Sequence, residues 1–145
     1  GNLVTAVYAC VDPDARRVSL ANAGHPRPLL LASGGRSASE AGERGAALGL
    51  LPDERYAATD LSLAPGDRLV LYSDGLVEAK APDGALFDVQ RLRGALTSRA
   101  ALPAEAWADH VLEEVTRWIG KPDLTLDDDL TLVVLDMPAG DAGAS

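Results

Sequence analysis

Two short acidic motifs are the residues of this chain best placed to do chemistry. Ser73-Asp74-Gly75 directly follows the apolar run Leu69-Val70-Leu71-Tyr72. A strand ending there fixes where the Asp emerges, and the glycine lets the backbone turn away so that the carboxylate faces a cleft. The plain alternative is a strand that closes in an ordinary Asp-Gly turn. The second motif, Asp127-Asp128-Asp129-Leu130-Thr131, runs into another apolar stretch. Three adjacent carboxylates repel one another unless a cation or water relieves them. They lack the alternate ligand spacing and central glycine of an EF-hand loop, and the alternative is a solvated acidic turn. Both motifs place an Asp at the end of an apolar strand. Carboxylates converging from two strand ends suit hard, oxygen-seeking cations such as Mg²⁺ or Mn²⁺.

A third element is Ala21-Asn22-Ala23-Gly24-His25-Pro26. His25 has the chemistry of a metal ligand, a general acid or a structural hydrogen-bonder. No Cys or second His stands near it to complete a zinc set, and a lone His is most often structural. His110 sits among Asp109 and Glu113 in a helical stretch, where surface exposure is the plain reading. The chain has neither a glycine-rich phosphate loop nor a nucleophile elbow. Cys10, in the run Val7-Tyr8-Ala9-Cys10-Val11, reads as a small core residue rather than a nucleophile.

The elements that must position these motifs follow from hydrophobic periodicity. Leu3–Val11, the turn Asp12-Pro13-Asp14 and the alternating Arg17–Leu20 read as a β-hairpin. Pro28–Leu31 is a further short strand closed by Ser33-Gly34-Gly35, and Arg36–Ala46 is small, polar and loop-like. Tyr56–Leu63 and Arg68–Tyr72 read as another strand pair, joined through Ala64-Pro65-Gly66-Asp67. Asp88 caps a short helix to Thr97, with Val89, Leu92 and Leu96 on one stripe. Pro103 opens a longer helix, in which Trp107, Val111, Val115, Trp118 and Ile119 recur at helical spacing until Gly120 and Pro122 end it. Both Trp are therefore packing residues. Leu130–Leu135 returns to strand. Hairpins followed by helices indicate an α+β domain with helices packed on one sheet, not alternating βαβ units.

A chain of 145 residues fits one domain, here residues 1–138, followed by a tail, residues 139–145, with nothing to bury. Thirteen basic against 22 acidic residues give a formal net charge of -9. That balance argues against nucleic acid or an anionic membrane as partner, because both demand clustered Lys and Arg. No apolar stretch approaches the ~20 residues of a membrane span. Gly1-Asn2-Leu3 has neither the basic start nor the cleavage pattern of a signal peptide. A single cysteine forms no intrachain disulfide and fits a reducing compartment, so the cytoplasm is the expected location.

Taken in order, five segments resemble a known pattern: Asn22-Ala23-Gly24-His25-Pro26; Ala47-Leu48-Gly49-Leu50; Leu63-Ala64-Pro65-Gly66-Asp67; Tyr72-Ser73-Asp74-Gly75-Leu76-Val77-Glu78-Ala79; and Asp128-Asp129-Leu130-Thr131-Leu132. Together they look like the PPM (protein phosphatase type 2C-like) superfamily, and the Ala-Gly-His-Pro form points to its bacterial SpoIIE/RsbU branch. The resemblance covers about residues 3 to 137. It implies an antiparallel β-sandwich flanked by helices, with two Mn²⁺ or Mg²⁺ ions at one edge in the intact domain. By motif position, Asp74 and Asp128 match metal ligands. Gly75, Asp129, His25 and Asn22 would stand behind them, orienting the ligands or shaping the site, and Thr131 would pack or hydrogen-bond beneath.

The resemblance implies a Mn/Mg-dependent serine/threonine phosphatase that acts through a metal-activated water, in keeping with the lack of a candidate nucleophile. The substrate implied is a phosphorylated regulatory protein of the anti-anti-sigma type. In this family the bridging Asp and a Gly carbonyl ligand come from a motif like Gly-Asp-x-x-Gly-His-Gly, upstream of Leu3. The expectation is therefore that the first strands and helices of the domain and half its metal site are missing. This chain alone should be inactive, with an exposed sheet edge that invites a homodimer. The rival readings are a non-catalytic pseudophosphatase or partner-binding regulatory module, and a calcium-stabilised β domain.

Overall fold

The computed structural model describes residues 3–120 and 129–138. Residues 121–128, with Asp127 and Asp128, and the proposed tail 139–145 lie outside the described residues. Seven strands and three helices are described: β1 (Ala6–Asp12), β2 (Arg17–Ala23), β3 (Leu29–Leu31), β4 (Ala38–Glu40), β5 (Thr59–Ser62), β6 (Arg68–Tyr72), α1 (Asp74–Val77), α2 (Asp88–Ser98), α3 (Ala104–Ile119) and β7 (Leu132–Asp136). The strands form two antiparallel sheets, ordered β1-β2-β5 and β4-β3-β6-β7.

Burial explains the layering. Strand β6 is apolar almost throughout because both its faces are covered. Leu69 and Leu71 face the first sheet, packing with Val18 and Leu20 of β2, Leu61 of β5 and Leu135 of β7. Val70 and Tyr72 face the other way, onto Leu92 and Leu96 of α2 and Trp107, Val111 and Val115 of α3. Sheet, sheet and helices thus stack as three layers, with β6 at the centre. This is the α+β sandwich expected from the sequence, and both expected helices pack on one sheet.

Local chemistry accounts for the helix ends. Asp88 Oδ1 accepts from the Gln90 and Arg91 N–H groups at 2.8 and 3.0 Å, which caps α2. Gly120 adopts φ +69° and donates its N–H to the Thr116 carbonyl, a left-handed stop for α3. Arg68 is buried on the helix side of β6. Its guanidinium binds Asp136 and the Leu102 carbonyl and lies 5.2 Å from the Trp107 ring centroid, so a buried charge is paired rather than isolated.

Four readings of the sequence need correction. β5 and β6 are not a pair: β5 joins β2 in one sheet, and β6 joins β3 and β7 in the other. The Pro-Gly turn between them moves the chain across the sandwich. The segment 36–46 contains a strand, β4, paired with β3. Cys10 is exposed, because β1 turns Tyr8 and Cys10 to the outer face and Val7 and Ala9 inward. After Asp74 the chain enters the helical turn α1, so Gly75 sits in a helix and does not supply a glycine-specific turn.

Candidate metal centre

The site is built at the end of the sandwich where β6 runs out. Asp74 follows β6 and opens α1, and it is exposed, as a carboxylate that must meet a ligand should be. Its Oδ1 accepts from the Gly75 N–H at 3.1 Å, which restricts the carboxylate's orientation. The preceding residue, Ser73, joins this turn to the segment leading into β7. Ser73 N–H donates to the Thr131 carbonyl at 3.0 Å, its hydroxyl donates to the Asp129 carbonyl at 3.1 Å, and the same oxygen accepts from the Thr131 N–H at 2.8 Å. Asp129 therefore lies beside the Asp74 turn, whereas Asp128, the other expected ligand, lies outside the described residues.

The Asn22–Pro26 motif reaches the same end by the β3–β6 register. Leu29 pairs with Val70, and continuing that register outward brings Arg27 and Pro26 level with Tyr72 and Ser73. The turn itself is tightly made. Asn22 Oδ1 accepts from the His25 N–H at 2.9 Å, and Asn22 Nδ2 donates to the His25 carbonyl at 3.0 Å. Gly24 has φ +73°, and a Cβ there would stand 2.9 Å from both Cα and N of Ala47, so only glycine fits. The His25 Nδ1 lies 3.1 Å from the Thr5 hydroxyl, which orients the ring.

Three arginines frame this end of an otherwise acidic chain. Arg27 and Arg93 approach opposite oxygens of Glu40 at 3.1 and 3.5 Å. Arg44 Nη2 donates to the Gly24 carbonyl at 2.7 Å. Burial pushes the Tyr72 hydroxyl above its ordinary pKa and Glu40 adds to this, while Arg93 and Arg44 oppose it. Both guanidinium groups are thus near the residue two positions before Asp74.

The donors offered here are carboxylate and carbonyl oxygens, which fit Mg²⁺ or Mn²⁺ in kind. Among the described residues no three His, Cys, Asp or Glu stand close enough to hold a metal ion by themselves. Sequence reasoning weighed the Asp and Gly of Ser73-Asp74-Gly75 but not its Ser. It also missed Arg44, which lies in a segment read as loop and carries no local signal of its role.

The model of the stage II sporulation protein E family, SpoIIE, matches residues 1–138. The chain belongs to the SpoIIE family. Within that family's reach, phosphoserine phosphatase RsbU of Bacillus subtilis is 28% identical over 134 residues, which cover 91% of this chain and 38% of RsbU. Among solved structures, the RsbU and RsbW domains of Rv1364c from Mycobacterium tuberculosis superpose with a TM-score of 0.76 at 26% identity, over 93% of this chain and 36% of that one. The manganese-presoaked phosphatase domain of SpoIIE from Bacillus subtilis superposes with a TM-score of 0.66 at 19% identity, over 92% of this chain and 56% of that one. The SpoIIE-family chain thus spans well under half of RsbU. Among its described residues, no helix is long and apolar enough to cross a membrane.

Proposed function

We propose that this SpoIIE-family chain is part of a Mn²⁺- or Mg²⁺-dependent serine/threonine protein phosphatase domain. Its substrate is a phosphoserine or phosphothreonine on a bacterial regulatory protein of the anti-anti-sigma type, in the cytoplasm. The observation that carries the reading is the tie between Ser73 and residues 129–131, which sets the acidic segment beside Asp74. Membership of a family that includes a phosphoserine phosphatase supports the reaction class.

Asp74 and Asp128 would hold the ion, with its remaining ligands coming from outside the described residues. A divalent ion bound there supplies an activated water and neutralises charge on the phosphoryl oxygens. The chain's own part is to hold its carboxylates still. Gly75 N–H restrains Asp74, Ser73 restrains the neighbouring segment, and Arg44 and Asn22 fix the His25 turn at the rim.

The test uses a longer protein that carries the upstream segment of the phosphatase domain. It should hydrolyse a phosphoserine protein in a Mn²⁺-dependent way. Asp74→Asn or Asp128→Asn should each lower the rate on the order of 100-fold, because each removes a ligand charge. Unchanged turnover after both substitutions would reject the reading. Metal binding without turnover in the unsubstituted protein would instead favour a non-catalytic regulatory module.

A further inference from the structure

We propose that Ser73 is a positioning residue: its hydroxyl latches the acidic segment before β7 onto the Asp74 turn, so that one ion is offered both carboxylate-bearing segments together. The inference rests on the proposed metal site and concerns how that site is assembled.

Ser73 leaves the usual task of its position undone. It occupies the N-cap position of α1, with extended backbone at φ -80° and ψ 161°, yet its side chain makes no cap hydrogen bond. A serine at an N-cap ordinarily accepts from its own helix, a contact worth about 1 kcal/mol. Here the hydroxyl reaches across to a segment more than fifty positions away along the chain. It donates to the Asp129 carbonyl at 3.1 Å and accepts from the Thr131 N–H at 2.8 Å. With the Ser73 N–H bonded to the Thr131 carbonyl at 3.0 Å, one residue makes three contacts with residues 129–131.

The ladder between β6 and β7 ends at the Tyr72–Leu132 pair. Beyond it, the backbone bond from Ser73 and the two hydroxyl bonds extend the pairing by one more residue, up to Asp129. Only a hydroxyl serves here, since the partner groups are one carbonyl and one N–H. Alanine satisfies neither, whereas threonine keeps both. The two hydroxyl contacts are solvent-exposed, so their loss leaves water to replace them and changes global stability little. What is lost is the fixed approach of the acidic segment.

The probe is Mn²⁺ alone, read by paramagnetic broadening of amide signals in the 145-residue chain. In the unsubstituted protein, amides of Ser73–Gly75 and of Asp129–Thr131 should broaden together over one range of Mn²⁺ concentration. In Ser73→Ala the midpoint for Asp129–Thr131 should rise about tenfold relative to that for residues 73–75, a size expected for loss of a hydrogen-bonded support behind a metal ligand. Ser73→Thr should restore joint broadening. Equal midpoints for the two segments in Ser73→Ala would overturn the latch while leaving the metal site standing. A lack of broadening at Ser73–Gly75 in the unsubstituted chain, or its persistence unchanged in Asp74→Asn, would overturn the metal site and the latch with it. Independently of any metal, the Thr131 amide of the unsubstituted chain should exchange with solvent more slowly than an open-chain amide. Open-chain exchange there would also overturn the proposal.

Discussion

Gly24 shows how closely single residues are specified at the rim of the site. Its φ is +73°, and a Cβ at this position would come within 2.9 Å of the Ala47 backbone, which leaves no room for a side chain. Gly24→Ala should therefore cost about 1–3 kcal/mol, measured as a lower urea midpoint, and should disturb the His25 turn. At this scale the sequence was partly legible. Asn22, Gly24, Asp74 and Asp129 could be picked out because their residue types have few uses in such patterns. Ser73 and Arg44 could not, since their roles depend on partners far along the chain: Ser73 meets residues 129 and 131, and Arg44 meets the Gly24 carbonyl. Local sequence carries no trace of such partners.

Among the elements, the helices were the most legible because their signals are local. The stripe of Trp107, Val111, Val115 and Ile119 is buried as its spacing predicts, and Gly120 ends α3. Trp107 is fully buried, donates its indole N–H to the Leu96 carbonyl and carries the Arg68 guanidinium on its ring. Trp107→Ala should destabilise the fold by about 3–5 kcal/mol, seen as a fall in Tm, because it opens a cavity and unstacks a buried charge. Strand pairing was less legible. The turn 64–67 reads as a hairpin, but Asp67 ties it elsewhere: Oδ1 accepts from Ser33 N–H at 2.7 Å and Oδ2 from Ala64 N–H at 2.8 Å. That anchor to the loop after β3 helps to carry β6 into the second sheet. A turn signal says that the chain reverses, not which neighbour it meets.

At the scale of the whole molecule, the sandwich has an outer strand, β1, and large apolar side chains in water: Leu3, Val4, Tyr8, Leu50 and Leu51 are each more than half exposed. We propose that this face draws copies of the chain together, opposed by the net charge of -9. Sedimentation should then show association that strengthens with added salt, and a salt-independent monomer at high concentration would count against it. The metal site demands something more specific, that Asp74 and Asp128 bind one divalent ion. Anomalous scattering from crystals of the longer phosphatase domain grown with Mn²⁺ reads this out without recourse to activity. An anomalous peak is expected about 2.1 Å from carboxylate oxygens of both Asp74 and Asp128. A Mn²⁺ peak bound elsewhere, with the two carboxylates facing opposite ends of the fold, would contradict it.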